Sequence, residues 1–253
     1  MTTPTFKDHF SGCATNYAAH RPTYPTQLIE ELAKISPGRA LALDCGCGTG
    51  QLSVLLANRF DEVVATDASH SQIEKAQSHE RVRYRTSLAQ DSGLPDGSVD
   101  LVTVAQAAHW LDLPKFYAEV RRVARPNATI SLITYGVLHV EGEVDPFVQH
   151  FYWETIGPYW PPERRHVEDG YRSLPFPFPE AQLPELAIEV SWCLKDLVGY
   201  INTWSAVKAA EKALAKNPVE QFEKALRPMW GDPEVRRQVK WPLSLRVGHV
   251  QPE

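Results

Sequence analysis

The sequence predicts an α/β fold in which a doubly wound, mostly parallel sheet of seven strands carries helices on both faces. Its 253 residues, 43% hydrophobic and 23% charged, are enough for one large globular core. Short apolar runs alternate with amphipathic stretches up to about residue 136. A glycine-rich turn follows the first of these runs. Alternating strands and helices form βαβ units, whose strands pair in parallel and are covered on both faces.

Each element of the first part follows from its hydrophobic spacing. Ser69 and Asp112 are good residues for capping helix N-termini, and Pro114 is tolerated in a first helical turn. Asp100 interrupts an apolar run and is expected to accept hydrogen bonds from nearby backbone. The predicted strands are 40–44, 63–67, 81–86, 99–105 and 128–135, and the predicted helices are 52–60, 69–78 and 113–123.

The second part has a different composition, with 13 of the 20 prolines and six of the seven tryptophans after residue 136. Helical spacing is found in 144–156 and 197–215, and strand patterns in 187–194 and 239–250. The two late strands complete the seven-stranded sheet, and the segments between them and the fifth strand form a helical, aromatic lid. Pro242 lacks an N–H group, which predicts a sheet edge for the last strand.

Net charge, the length of the apolar runs and the cysteine content argue against several classes of protein. Lys and Arg total 26 against 31 Asp and Glu, which disfavours a nucleic-acid partner. No apolar run reaches the roughly 18 residues of a membrane span, and the first ten residues do not have the pattern of a secretory signal. Four cysteines without paired metal-ligand spacing indicate neither a disulfide framework nor a metal site. We therefore expect a cytoplasmic protein, a monomer or homodimer, with a small-molecule partner.

The most informative segment is Asp44-Cys-Gly46-Cys-Gly48-Thr-Gly50, between the first strand and its helix. Glycines at every second position let the backbone turn tightly and approach a ligand. The crevice at the carboxyl ends of parallel strands is where such folds bind ligands. Asp67 ends the next strand, where its carboxylate could accept hydrogen bonds from both hydroxyls of a ribose.

The details of this segment favour S-adenosylmethionine over NAD. Dinucleotide-binding loops place their third small residue at the position of Gln51, whereas the third glycine here is Gly50. Asp44 directly before the glycines suits a ligand with a cationic amino group better than a pyrophosphate.

These residues resemble those of the class I S-adenosylmethionine-dependent methyltransferases, in particular the trans-aconitate methyltransferase-like enzymes of the methyltransferase type 11 family. The resemblance also includes Ala89-Gln90, the segment Gly93-Leu-Pro-Asp-Gly-Ser-Val-Asp100, the pair His109-Trp110 and the N-terminal Tyr17-Ala-Ala-His-Arg21-Pro-Thr-Tyr24-Pro25. It implies a Rossmann-like core over 38–137, an N-terminal segment, 1–37, that closes over the cofactor, and lid or substrate segments with the last two strands over 138–253.

The resemblance also implies a role for each matching residue. Asp44, Gly46, Gly48 and Gly50 would hold the methionine portion of the cofactor, and Asp67 would bind its ribose. Ala68, Ala89 and Gln90 would contact the adenine. Gln106 would lie beside the reactive centre, and Tyr17 and Arg21 would close over the cofactor. Gln90 departs from the family, which usually has an acid at this position, although an amide can still form hydrogen bonds.

The acceptor side of the site is less sharply defined by the sequence. His109 is the candidate catalytic residue, orienting or deprotonating the acceptor, or else a residue that only hydrogen-bonds the cofactor or backbone. Trp110, Tyr159, Trp160 and Arg164 are candidate substrate residues, with the packing of an inserted segment as the alternative.

The sequence thus predicts a methyltransferase acting on a small-molecule acceptor, with a carboxylate as one candidate. A carboxylate is already ionised and needs no base, whereas a hydroxyl or amine does. The alternatives are a non-catalytic or regulatory module with the same fold and, less favoured, an NAD-dependent oxidoreductase.

Overall fold

A computed structural model describes residues 22–251, in which one sheet of eight strands forms the centre. The strand order is β3-β2-β1-β4-β5-β8-β6, and β7 pairs with β8 beside this row. The strands are β1 (Leu41–Cys45), β2 (Glu62–Asp67), β3 (Val82–Thr86), β4 (Val99–Ala105), β5 (Ala124–Tyr135), β6 (His139–Val140), β7 (Ala187–Trp192) and β8 (Arg237–His249).

Strands β1 to β5 are parallel, and β8 runs antiparallel to β5. The central strands are buried on both faces, and alternate side chains enter different cores. Ala42 belongs to the core on one face, while Leu43 and Cys45 belong to the core on the other. The predicted doubly wound, mostly parallel α/β fold is therefore confirmed, with the two-residue strand β6 as one strand more than predicted.

The helices lie on both faces of this sheet. Those among the described residues are α1 (Thr26–Ile35), α2 (Gln51–Leu56), α3 (His70–Ile73), α4 (Leu113–Val123), α5 (Asp145–His150), α6 (Arg164–Glu168), α7 (Leu194–Ile201), α8 (Ser205–Leu214) and α9 (Pro218–Trp230), with 3₁₀ turns at Ala108–Trp110 and Gly157–Tyr159 and a π-helical turn at Phe151–Thr155. Asp112 caps α4 as predicted, accepting a hydrogen bond from the Lys115 backbone N–H. Across residues 22–251, every helix is too short or too polar to span a membrane.

Four predicted helices differ from the structure. The helix predicted over 52–60 is α2, which ends at Leu56. The helix predicted over 69–78 ends after one turn, because the Gln77 N–H donates to the Thr49 carbonyl (3.0 Å) in the glycine loop. The helix predicted over 197–215 is two helices, separated by a turn in which the Thr203 hydroxyl donates to the Tyr200 carbonyl. The helix predicted over 144–156 changes from α to π geometry at Phe151. Helices α1 and α9 were not predicted from the sequence.

The prediction of a sheet edge at Pro242 is wrong, because β8 lies inside the sheet. Its first half pairs with β7 and its second half with β5. The neighbouring Leu243 N–H donates to Leu186 on the β7 side, so the nitrogen of Pro242 faces the opposite side. On that side of β8, the nitrogen of Pro242 faces the gap between the end of β5 at Tyr135 and the start of β6 at His139. A proline is tolerated in this interior strand because its missing N–H faces a break in the ladder.

Candidate active site

A cavity lies at the carboxyl ends of β1, β2 and β4, where the sequence placed the ligand. Its lining comes from the loops that follow these strands and from the start of α2. The lining residues are Tyr24, Asp44, Gly46, Cys47, Gly48, Thr49, Gln51, Leu52, Asp67, Gln72, Ala105, Gln106, Ala107 and Trp110.

The glycine loop adopts a conformation that other residues resist. Gly46, Gly48 and Gly50 have φ values of 66°, 55° and 82°, in the left-handed region. A Cβ on Gly46 would lie 2.7 Å from the Cβ of Ala107, which follows β4. The loop therefore keeps its backbone close to the neighbouring strand end and to the cavity.

Replacing Gly46 with alanine is expected to lower the free energy of unfolding by roughly 2–5 kcal/mol, since a left-handed alanine adds to a steric clash. Gly97→Ala is the matched control, because Gly97 has a φ of 58° but open space around it; roughly 1–2 kcal/mol is expected there. Urea unfolding measures both, and calorimetry with S-adenosylmethionine should show weakened binding for Gly46→Ala alone. Equal effects of the two variants would contradict this view of the loop.

Asp44 is a buried carboxylate at the end of β1. Its oxygens accept hydrogen bonds from the hydroxyls of Ser53 (2.6 Å) and Thr103 (2.8 Å). Burial raises the pKa of Asp44 to about 6, against the lowering effect of these two hydrogen bonds, and the charge of Asp67 adds to the increase. Each carboxylate oxygen retains acceptor capacity. A cationic group beside Asp44 would therefore be bound strongly, because it would compensate a buried negative charge.

Asp67, at the end of β2, faces the same cavity and holds the glycine loop. Its Oδ2 accepts the Gly48 N–H at 2.9 Å, and its Oδ1 accepts the Ser69 N–H at 2.8 Å. One lone pair on each oxygen remains for a ligand hydroxyl. The position of Asp67 was predicted from the sequence, whereas its hydrogen bonds to the glycine loop and to Ser69 were not.

Gln106 follows β4 in a left-handed conformation, with φ of 58°. Its backbone N–H donates to the Ile133 carbonyl at 2.8 Å. Its side-chain Nε2 donates to the Tyr135 carbonyl at 3.0 Å, and its Oε1 accepts the Thr134 hydroxyl at 2.9 Å. Such strained residues persist where surrounding contacts fix them, and they are enriched at functional sites.

His109 adjoins the cavity through Trp110 and contacts Tyr171. Its ring centroid is 4.7 Å from that of Trp110, and its Nδ1 is 2.8 Å from the hydroxyl oxygen of Tyr171. Burial lowers the pKa of His109 to about 3, and the charges of Arg164 and His166 contribute to the decrease. The imidazole of the free protein is therefore neutral near pH 7.

Arg164 and Trp160 belong to the segment between β6 and β7, and the charge of Arg164 acts on His109. The Arg164 guanidinium stacks over Trp160 at 4.7 Å, and its Nε donates to the Tyr152 hydroxyl at 2.8 Å. The Oε1 atom of Glu168 lies 3.9 Å from the Nε atom of Arg164. The indole N–H of Trp160 is buried and has no hydrogen-bond partner among residues 22–251. Tyr159 is partly buried against the adjoining hydrophobic core.

The structure brings some of the predicted site residues together and leaves others apart. Within residues 22–251 the cavity lining includes Asp44, Gly46, Gly48, Asp67, Gln106 and Trp110, but not Gly50, Ala68, Ala89, Gln90, His109, Tyr159, Trp160 or Arg164. Gly50 instead caps α2 and lies against Tyr84. The loop that carries Ala89 and Gln90 starts beside Asp67, whose carbonyl accepts the Ser87 N–H. Tyr17 and Arg21 lie outside the described residues.

Several contributors were missed by sequence reasoning. Ser53 and Thr103 hold Asp44, while Thr134 and Tyr171 contact Gln106 and His109. Thr103 and Thr134 could have been found from the sequence, because each is a small polar residue within an otherwise apolar strand. Tyr24 was quoted as part of an N-terminal motif without a role, yet it lines the cavity.

Comparison with known proteins agrees with this site. The sequence model of the methyltransferase domain family matches residues 43–132, which include the glycine loop, Asp67 and Gln106. A Dictyostelium discoideum protein provisionally named a methyltransferase is 38% identical over 231 residues, covering 89% of this chain and 88% of that protein.

Solved structures give the same result. One from Anaeromyxobacter dehalogenans, provisionally described as a type II methyltransferase, is 47% identical, with a TM-score of 0.89 over 92% of this chain and 99% of that one. The YcgJ protein from Bacillus subtilis is 16% identical and has a TM-score of 0.53 over 90% of this chain and 100% of that one, which shows a shared fold.

Proposed function

The chain belongs to the class I S-adenosylmethionine-dependent methyltransferases, and on this premise we propose that it methylates a small organic acid by in-line transfer. When bound, S-adenosylmethionine supplies a methyl group already activated by its positively charged sulfur. The protein mainly has to align the acceptor with this group and exclude water. An NAD-dependent oxidoreductase is disfavoured by the family and by Gln51.

The buried carboxylate of Asp44 is suited to the cofactor's ammonium group, and Asp67 to its ribose hydroxyls. The backbone of Gly46 and Gly48 leaves room for a ligand that approaches closely. We assign further cofactor contacts to Gly50, Ala68, Ala89, Gln90 and Gln106, and closure of the site to Tyr17 and Arg21, on the resemblance to the family.

The observation that supports the acidic acceptor is a pair of donors in the segment between β6 and β7, on Arg164 and Trp160, that have no acceptor among residues 22–251. Within residues 22–251, the hydrogen bond of Arg164 uses only Nε, so its two terminal nitrogens are available. The indole N–H of Trp160, whose ring the guanidinium stacks over, also has no acceptor in the part of the chain that the structure describes. An anionic oxygen group would satisfy both, and guanidinium binds a carboxylate in a two-point geometry. Trp110 and Tyr159 would then form apolar walls between this anchor and the cofactor.

A screen of small organic acids for release of S-adenosylhomocysteine tests the proposal. Each acid is paired with its primary amide, which has nearly the same shape and no charge. We expect turnover with some acids and a drop of roughly 100-fold in kcat/KM for the matching amides, because a charge-assisted pair is lost. Equal turnover of acids and amides would refute an acidic acceptor without affecting the cofactor assignment.

We further propose a cytoplasmic location and a monomeric or homodimeric state without nucleic-acid partners. The net charge of −5 and the free thiols of Cys45, Cys47 and Cys193 support this proposal. Gel filtration at several ionic strengths would test the oligomeric state.

A further inference from the structure

We infer that Tyr84, on β3, is a positioning residue for the cofactor, although it does not line the cavity. Its hydroxyl fixes the Thr49 carbonyl through Gln77, and its ring occupies the place that a side chain on residue 50 would need. Tyr84 thereby holds the second half of the glycine loop in one conformation. The inference rests on the assignment of S-adenosylmethionine to this loop and is independent of the acidic acceptor.

The ring of Tyr84 explains why residue 50 is a glycine. Every residue from 46 to 52 lines the cavity except Gly50. A Cβ on Gly50 would collide with the hydroxyl oxygen of Tyr84 and would lie 2.7 Å from Cζ of its ring. Carbon atoms in contact are about 3.5–4.0 Å apart, so a larger residue would have to displace the tyrosine. The third glycine of the loop is therefore required by this side chain, in addition to its left-handed φ of 82°.

The hydroxyl of Tyr84 is connected to the loop through one intermediate residue. It donates to the Gln77 carbonyl at 2.8 Å, and the Gln77 N–H donates to the Thr49 carbonyl at 3.0 Å. Burial raises the pKa of Tyr84, so the hydroxyl keeps its hydrogen and remains a donor. The segment that follows α3 is thus held against the glycine loop.

These hydrogen bonds fix the peptide group between Thr49 and Gly50. In a trans peptide the C=O and N–H groups point in opposite directions. Here the carbonyl faces Gln77, and the Gly50 N–H donates to the Cys47 carbonyl at 2.9 Å. Both polar groups of this peptide are therefore held, and Thr49 and Gln51 on either side of Gly50 line the cavity. A loop that is already ordered binds a ligand without the entropic cost of ordering it.

The first half of the loop is held separately, from β2. The Cys47 N–H donates to the Thr66 carbonyl at 3.0 Å, and the Gly48 N–H donates to Asp67 at 2.9 Å. Loss of the Tyr84 hydroxyl leaves these two bonds in place. The expected result is a loop that is loosened in its second half only, in a protein that still folds.

Tyr84→Phe removes the hydroxyl and keeps the ring. Calorimetry should show S-adenosylmethionine binding weakened by roughly 3- to 10-fold, because binding must now order the loop. Tyr117→Phe is the matched control, since Tyr117 also donates to a backbone carbonyl, that of Pro175 at 2.7 Å, but packs in the core on the other face of the sheet. Both variants should unfold at lower urea concentrations than the wild type, whereas Tyr117→Phe should keep its affinity within about twofold. Wild-type affinity in Tyr84→Phe would overturn the inference.

Hydrogen exchange tests the same inference in the free protein. The Gln77 amide, followed by NMR, should exchange roughly 5- to 10-fold faster in Tyr84→Phe than in the wild type, because its contact with the Thr49 carbonyl opens more often. The Gly48 amide, which Asp67 holds, should exchange at the wild-type rate. An unchanged rate at Gln77 would contradict the role given to the hydroxyl.

Gly50→Ala tests the role of the ring. The added methyl group must displace Tyr84, so cofactor binding should weaken by roughly 10-fold or more. In a Tyr84→Leu background, which lacks the far end of the ring, the same substitution should add less than about threefold. Equal losses in the two backgrounds would overturn the inference. A wild type that does not bind S-adenosylmethionine would overturn the cofactor assignment as well, whereas a screen without any acidic acceptor would remove the proposed function and leave these results intact.

Discussion

Asp44→Asn is expected to weaken S-adenosylmethionine binding by a factor of roughly 150 to 5,000, because removing one partner of a buried ion pair costs about 3–5 kcal/mol. The ammonium group would lose its counter-charge, and the asparagine amide would place a donor near another donor. The hydroxyls of Ser53 and Thr103 can still be satisfied by the amide. The loss is therefore expected in binding and not in folding.

The same substitution should leave the free protein as stable as the wild type, or more stable, above pH 6. Asp44 has a folded pKa raised from 3.8 to about 6. Such a group stabilises the fold below its unfolded pKa, and this contribution is lost as the pH rises through the folded value. An increase of about two units corresponds to a cost of about 3 kcal/mol for the ionised form. Asparagine carries no charge and avoids this cost. The gain in stability is reduced by any weakening of the hydrogen bonds with Ser53 and Thr103.

Calorimetry and thermal unfolding at pH 5 to 8 measure both effects. Wild-type affinity should fall as the pH decreases below about 6, because a proton must leave Asp44 before a cation binds; Asp44→Asn should lack this dependence. Asp100→Asn is the control, since Asp100 is equally buried but accepts the backbone N–H groups of Ala40 and Leu41 and a hydrogen bond from Arg125. It should lose stability and keep its affinity. Tight, pH-independent binding by Asp44→Asn would refute the assigned contact.

The cofactor side of the site could be predicted from sequence because its information is local. Asp44 and the glycines are consecutive, and Asp67 ends the next strand, so parallel pairing alone brings them together. The bounds of β4 and α4 were predicted without error for the same reason, since each combines a clear periodicity with a clear start or stop.

The acceptor side could not be derived in this way. Tyr171 contacts His109 from 62 residues away in the sequence. Arg164 reaches the same region from a segment whose pattern of apolar residues does not predict where the segment lies relative to the sheet. The short α3 shows the same limit, because a hydrogen bond to the distant glycine loop overrides its helical spacing. Pro242 was misplaced because its missing N–H was taken to require a sheet edge, whereas here it faces the break between β5 and β6. Long-range pairing decided each of these cases.

Arg164→Gln is expected to raise KM for the acidic acceptor by roughly 100-fold, since the anchor loses its charge and its two-point geometry. The adjoining Arg165 provides a matched control: it is exposed, one residue away, and its substitution with glutamine should change KM by less than about twofold. Arg164→Lys retains the charge but not the planar geometry, and an intermediate effect is expected. The primary amide of the same acid should be used equally well by wild type and Arg164→Gln.

A second readout separates an anchor from a purely structural arginine. The Arg164 charge contributes to the low pKa of His109, after burial, so Arg164→Gln should raise that pKa, and an NMR titration of His109 should show the change. In wild type, saturating acidic acceptor should raise the same pKa by neutralising the same charge, whereas its amide should not. If the acid leaves the His109 titration unchanged, Arg164 does not bind the acceptor's carboxylate, and the anchor for the acceptor must lie elsewhere.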